Sequence, residues 1–209
     1  MIFLDSVEST HTYLKNYIKV HEYTKPLCTV TQYQTNGLGS RNNSWEGKKG
    51  NLYFSFVLDK DLLPADLPIQ SSSIYFSFIL KSILKSYGSA VWLKWPNDFY
   101  IKKHKIGGTI TNFSKNLFYC GIGLNLQSIN SDYGHLDIKI EIDKLLNDYF
   151  KAVLMKTQWK QIFSNYTIEF ENSKQYKTTI NNKKVSLSDA FLNEDGSINI
   201  ANEKVFSLR

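Results

Sequence analysis

The sequence predicts an α+β fold: a mixed or antiparallel central sheet with flanking helices, followed by a small C-terminal β-module. Three observations carry that expectation. Between Phe99 and Leu126 short strand-like runs follow one another through tight polar turns, as in a meander. Longer stretches with apolar residues at helical spacing stand on either side of the meander. From about Ser173 the pattern changes to short strands split by Asn181-Asn182 and Asp195-Gly196, both hairpin signals.

Taken in order, residues 1–5 read as a short strand leading into a helix. Tyr13, Leu14, Tyr17 and Ile18 share one face of that helix, with Ser6 or Ser9 as its N-cap. Cys28–Gln34 alternates as a strand, Thr35–Gly50 is a glycine-containing polar loop, and Asn51–Leu58 is a second strand. Ile69–Tyr87 reads as an amphipathic helix presenting Ile74, Phe78, Ile79, Ile83 and Leu84 to the core and ended by Gly88. Val91–Trp95 is a strand stopped by Pro96 and the turn-forming Asn97-Asp98. Phe99–Ile101, Ile106–Phe113 and Leu117–Leu126 form the meander, and Lys139–Lys156 and Gln158–Phe170 are helical. The expected division is a domain of residues 1–172 and a module of residues 173–209. The module is too small to fold alone and should pack on the larger domain.

Composition excludes several classes. A chain of 209 residues that is 42% hydrophobic can bury a sizeable core and is far from disordered. Its apolar windows, such as Ile74–Leu84, are broken by Ser and Lys, so no membrane-spanning segment is expected. The start lacks a basic stretch followed by an apolar run, which argues against a secretory signal. Cys28 and Cys120 sit in apolar, strand-like runs without metal-ligand spacing, as expected of two reduced, buried thiols in a cytoplasmic protein. The net charge of +6 could suggest nucleic acid, but the lysines are scattered and only Lys102-Lys103-His104-Lys105 is a tight cluster. Of 25 basic residues only Arg41 and Arg209 are arginines. An Arg fork grips phosphate or carboxylate through two bonds, so Arg41, placed in the glycine-containing loop, is a ligand candidate or else a surface ion-pair residue.

Four segments carry chemistry. In Gln32–Trp45, Gly37 and Gly39 allow backbone N–H groups close to a ligand, Arg41 adds charge and Trp45 offers a flat stacking face. In Lys94-Trp95-Pro96-Asn97-Asp98 a strand delivers Lys94 and turns sharply. Asn97 then suits a phosphate or ribose, and Asp98 suits Mg²⁺ or an ammonium group. In Lys103–Gly108 a lysine beside two glycines can reach an anion while the backbone approaches closely. In Gly121–Leu126 glycines clear one face of a strand, leaving a slot with Asn125 at its mouth. Singly, each is equally readable as a loop, a turn, a basic hairpin or a bulge.

Together, and in this order, the segments Ser9-Thr10-His11, Gly37-Leu38-Gly39-Ser40, Trp45, Lys94–Asp98, Lys105–Gly108 and Gly121–Asn125 resemble the biotin–protein ligases. The resemblance covers roughly residues 1–130, with a weaker one to the SH3-like barrel in the tail. It implies the class II synthetase-like biotin/lipoate ligase fold and ATP-dependent activation of biotin as biotinyl-5′-AMP. The biotinyl group would then pass to a lysine of a biotin carboxyl carrier protein, such as that of acetyl-CoA carboxylase. Ser9, Thr10, His11 and Gln34 would bind the ureido ring. Gly37, Gly108, Gly121 and Gly123 would pass backbone against biotin, and Lys105 would sit between its carboxylate and the α-phosphate. Gly39, Arg41, Trp45, Lys94, Asn97 and Asn125 would hold the nucleotide, with Asp98 orienting or deprotonating the acceptor lysine. ATP with Mg²⁺ is the expected co-substrate, and no tightly bound prosthetic group is expected.

Two departures stand out. The family loop's two arginines align with Leu38 and Ser40, leaving Arg41 one position later, and His11 stands where the family often has Asn. Lipoate or octanoate protein ligases and transferases of related fold, or a non-catalytic ligand-binding homologue, are the competing expectations. DNA binding is not expected, because the chain begins at the catalytic strand, and an exposed sheet edge makes a homodimer reasonable.

Overall fold

The computed structural model describes residues 1–39, 44–45, 47–127, 133–181 and 183–206. In chain order, β1 is Ile2–Leu4, α1 Thr10–His21, β2 Leu27–Thr31, β3 Gly37–Leu38, β4 Ser44–Trp45 and β5 Leu52–Asp59. Then come α2 Ser72–Ser86, β6 Trp92–Lys94, β7 Asp98–Ile101, β8 His104–Ser114, β9 Leu117–Leu124, α3 Ile142–Leu154 and α4 Trp159–Ser173. The tail holds β10 Lys177–Ile180, β11 Lys183–Ser186, β12 Phe191–Leu192, β13 Ile198–Ile200 and β14 Glu203–Val205.

The main sheet has seven strands in the order β1-β2-β5-β9-β8-β7-β6. Only β1 with β2 is parallel and every other neighbouring pair is antiparallel, so the sheet is mixed, as expected. β5 is apolar along almost its whole length because both of its faces are covered. Leu52, Phe54, Phe56 and Leu58 face α2 and α3, where the Phe56 ring meets Phe76 at 5.1 Å and the Phe54 ring meets Tyr149 at 5.6 Å. On the opposite face Val57 packs with Leu14 of α1 and Leu117 of β9. Cys28 and Cys120 are buried free thiols on the strands either side of β5, both opposite Phe56.

The amphipathic reading of α2 is corrected. The helix begins at Ser72 after a single 3-10 turn, and every residue from Ser72 to Lys81 is buried, while Ile83 is only half-buried. It is covered by the sheet, α3 and α4 together, so it has no solvent face over that stretch. Two of its serines bond to the sheet: Ser72 Oγ donates to Thr111 Oγ1 at 3.1 Å, and Ser77 Oγ, which donates to the Ser73 carbonyl at 2.6 Å, lies 2.8 Å from Thr109 Oγ1. Lys81 is paired with Glu169 of α4 at 2.5 Å.

The tail folds as a β10–β11 hairpin and a three-stranded β12–β13–β14 sheet. The β10–β11 hairpin turns at Asn181, with φ 47°, while Asn182 lies outside the described residues, and Gly196, with φ 75°, lies in the turn between β12 and β13. Ile180, Leu187, Ile198 and Val205 belong to the same hydrophobic core as the main sheet. Trp159 Nε1 donates to the Glu194 carbonyl at 2.8 Å, and Trp95 Nε1 donates to the Gly196 carbonyl at 3.0 Å. The second of these bonds ties the tail to the end of β6.

Candidate active site

The register of the sheet decides where side chains are missing. On the face shared with α1, one row across the strands reads Thr31, Tyr53, Gly123, Gly108, Asp98 and Lys94. The next reads Thr29, Ser55, Gly121 and Ile110. Three glycines thus lie together at the centre of one face. α1 covers the neighbouring row, where Val57 lies, and its N-terminus stops beside the glycines. The result is a cavity of about 400 Å³ with this bare backbone in its wall, within the range of roughly 300–1,000 Å³ typical of small-molecule sites.

One end of the cavity is polar and neutral. Ser9 caps α1, its Oγ accepting from Thr12 N at 3.4 Å. Gln34 Oε1 accepts from Thr10 N at 2.8 Å and from Thr10 Oγ1 at 3.0 Å, and Thr10 Oγ1 lies 2.8 Å from Ser55 Oγ. Gly37 is where this corner forbids a side chain, since a Cβ there would stand 2.8 Å from Gln34 Nε2 and 2.9 Å from the Trp45 carbonyl oxygen. His11 is buried beside Gly121, and burial lowers its imidazole pKa to about 4, against the opposing hydrogen bond to Asn112 and helped by the charge of Lys15.

The other end is charged. Lys105 Nζ lies 2.6 Å from Asp98 Oδ1, and Lys94 Nζ lies 3.8 Å from Asp98 Oδ2 on the far side. Lys105 also stands 5.5 Å from the centre of the Trp45 ring. The indole fills the space a side chain at Gly123 would need, with its Cε2, Cζ2 and Nε1 3.3–3.4 Å from where a Cβ would be. Its Nε1 is buried and has no partner among the described residues. Asn97 is anchored by hydrogen bonds in both directions with the Thr109 backbone. Asn125 Nδ2 donates to the Gly134 carbonyl at 3.2 Å, which leaves its buried Oδ1 unpartnered among the described residues.

Of the residues singled out from the sequence, Ser9, Thr10, His11, Gln34, Gly39, Trp45, Asn97, Asp98, Lys105, Gly108, Gly121, Gly123 and Asn125 line this one cavity. Gly37 and Lys94 stand behind it, the first under Gln34 and Trp45 and the second behind Asp98. Arg41 lies outside the described residues. Sequence reading missed Leu38, Tyr53, Ser55, Thr109, Ile110, Ile122 and Tyr133 in the wall. One signal for Ser55 was available: it is a lone hydroxyl in the apolar run Phe54–Leu58.

Comparison with known proteins gives a consistent result. The biotin/lipoate A/B protein ligase family matches residues 3–126. Biotin–protein ligase 2 of Arabidopsis thaliana is 33% identical over 107 residues, covering 47% of this chain and 32% of the relative. The chain spans about a third of the length of the curated relatives it matches. Among solved structures, the biotin acetyl coenzyme A carboxylase synthetase from Helicobacter pylori with bound biotinylated ATP has a TM-score of 0.92 and 38% identity, covering 98% of this chain and 97% of that one. The biotin–protein ligase from Aquifex aeolicus in complex with biotin and ATP, 22% identical with a TM-score of 0.77, covers 100% of this chain and 95% of that one and shares the fold.

Proposed function

This chain belongs to the biotin/lipoate A/B protein ligase family, and from that premise we propose that it is a biotin–protein ligase. It activates biotin with ATP as biotinyl-5′-AMP and passes the biotinyl group to a lysine of a biotin carboxyl carrier domain. One observation carries the reading: a neutral hydrogen-bonding corner, a strip of bare backbone and a lysine line a single cavity, in that order along its length. A flat ring with an N–H and C=O edge at one end and an acid at the other has that same sequence of needs.

Ser9, Thr10 and Gln34 hold the ureido edge, and Gly108 and Gly121 let the bicyclic body lie against backbone. Lys105 stands where the carboxylate meets the α-phosphate. Two anions must come together for the anhydride to form, and the ammonium offsets their repulsion and the charge that develops on the phosphate oxygens. Trp45, Asn97 and Asn125 receive the nucleotide, for which Trp45 Nε1 and Asn125 Oδ1, unpartnered among the described residues, offer a donor and an acceptor. Mg²⁺ suits this site as an ion bound largely through ATP's phosphates and water, with Asp98 as the nearby carboxylate, and would neutralise phosphate charge. Asp98 orients the acceptor lysine after Lys105 has turned to the phosphate. Residues 1–172 form the catalytic domain in this reading, and the module of 173–209 braces the end of β6.

Arg41 supplies the phosphate contact that the family assigns to arginines at the positions of Leu38 and Ser40. Biotin-dependent pyrophosphate exchange tests this, and a change of less than about twofold in Arg41→Ala, below ~0.4 kcal/mol, contradicts it. The acceptor and the reaction are tested together by incubating the protein with labelled ATP, a carboxyl carrier domain, and biotin, lipoate or octanoate in turn. Exchange and labelling with biotin alone are expected. Lipoate-driven exchange moves the chain to the related ligases, and no exchange with any acid leaves a binding protein. No helix among the described residues is long and apolar enough to cross a membrane. We place the reaction in the cytoplasm with the carrier domain.

A further inference from the structure

β9 ends at Leu124, and the chain beyond it leaves the sheet with N–H groups that need partners from elsewhere. Asn125 is held by backbone: its N–H donates to the Ile106 carbonyl at 2.7 Å, and its own carbonyl accepts from Leu136 N at 2.8 Å. The next two N–H groups share one side chain. Asn51 Oδ1 accepts from Leu126 N at 2.9 Å and from Gln127 N at 3.2 Å, which uses both lone pairs of the amide oxygen. Asn51 stands one residue before the Leu52–Leu124 pair, so it lies across from Asn125 and on the same face as Tyr53 in the cavity wall. Gly50, at φ 91°, permits the close approach, since a Cβ there would stand 2.8 Å from Gln127 Nε2. The Gly50 N–H in turn donates to the Gln32 carbonyl at 3.0 Å. Asn51 is 1% exposed, and its Nδ2 is buried without a partner among the described residues. Packing alone is poorly served by an amide with an unpaired donor, so the oxygen is the part this position uses.

We propose that Asn51 is a positioning residue for the nucleotide: by gripping Leu126 and Gln127 it fixes where the chain turns after Asn125, and so where the Asn125 amide stands relative to Trp45. The inference rests on the ligase reading, in which this end of the cavity takes ATP, and adds to it a residue that acts through its neighbours. Without the grip, two N–H groups lose their acceptor and the turn is free to swing outward. A contact group displaced by a fraction of an ångström then binds its ligand less well. The neutral end of the cavity does not depend on this turn, because Thr10, Gln34 and Ser55 hold one another there. Loss of Asn51 therefore weakens the nucleotide and spares biotin.

Biotin-dependent pyrophosphate exchange and biotin calorimetry on the full chain test this with Asn51→Ala, Asn51→Leu and Asn51→Asp. In Asn51→Ala and Asn51→Leu the KM for ATP should rise about tenfold, while the Kd for biotin stays within about twofold of the wild type. Asn51→Asp, whose carboxylate oxygen can accept both N–H groups, should recover most of the loss. Amide hydrogen exchange on the wild type keeps the question open to refutation even where a variant fails to fold: the Leu126 and Gln127 N–H groups should exchange slowly. Fast exchange at both, an unchanged KM for ATP in Asn51→Ala, equal losses for ATP and biotin, or an Asn51→Asp no better than Asn51→Leu overturns the inference and leaves the ligase reading intact. Absence of biotin-dependent exchange in the wild type overturns the ligase reading and the inference with it.

Discussion

Asp98 and Lys105, on neighbouring strands of the hairpin β7–β8, are joined at 2.6 Å with Lys94 3.8 Å from the same carboxylate. Asp98 is thus a carboxylate already held by cations before any acceptor lysine arrives. Its two candidate tasks separate in time: Lys105 must leave it for the phosphate before a substrate lysine can take the vacated place. Lys105→Ala is expected to reduce biotin-dependent pyrophosphate exchange by roughly 10²–10³-fold, the usual effect of removing a donor aimed at developing charge. Asp98→Asn should slow transfer from preformed biotinyl-5′-AMP more than it slows exchange. Single-turnover transfer assays against exchange rates check the split, and equal losses in both would assign Asp98 to orienting Lys105 alone.

Gly121 and Gly107 predict opposite phenotypes. A methyl group at Gly121 would meet Ile110 Cγ1 and Ser55 Oγ at 3.1 Å and His11 Nδ1 at 3.3 Å, all side-chain atoms facing the cavity. Gly121→Ala should fold with only a modest loss of stability and weaken biotin by tenfold or more. At Gly107 the added carbon would stand 2.5 Å from the Gly123 carbonyl oxygen, which is backbone of the adjacent strand. Gly107→Ala should cost about 1–3 kcal/mol in urea unfolding, because two central strands must part.

His11 should be visible in the pH dependence of stability. Its folded-state pKa is lowered to about 4 from the ordinary imidazole value of 6.5, chiefly by burial. Between those values the unfolded chain binds a proton that the folded chain refuses, so stability rises with pH across the window and falls on acidification through it. The loss from pH 7 to pH 4 from this group is on the order of 3 kcal/mol. Urea titrations at intervals of pH should show a shallower slope in His11→Phe, and an unchanged slope would refute the assignment.

Ser173 ends α4 and its Oγ accepts from Trp95 N at 2.9 Å, directly before the Pro96-Asn97-Asp98 turn. Ser173→Ala leaves that buried N–H unpaired and should destabilise the fold by about 1–3 kcal/mol. It should also lower exchange by severalfold, with KM for ATP rising, since Asn97 and Asp98 follow from the same strand end. Thermal melts and initial rates measure the two effects on one preparation.

Much of the architecture was legible because it is local. The strands of the meander, α1, α3, α4 and the tail hairpins follow from periodicity and turn chemistry, which act over a few residues. The family motifs were legible for a similar reason: Lys94–Asp98 and Gly121–Asn125 are short contiguous strings. α2 was misjudged in character over Ser72–Lys81, because a stretch buried on every side, with Ser72 and Ser77 turned to the sheet, looks amphipathic when its neighbours are unknown.

By itself the sequence determined which segments are strands and helices and which of them carry glycine, lysine and amide groups suited to a small acid and a nucleotide. Only the tertiary structure decided that Gly108, Gly121 and Gly123 adjoin on one face, that Ser55 and Ile110 complete that wall, and that Asn112 reaches His11 from 101 residues away. Strand register is the physical reason. A slip of one residue would turn each of these side chains to the opposite face, and pairing between distant strands is settled by packing rather than by any short stretch of chain.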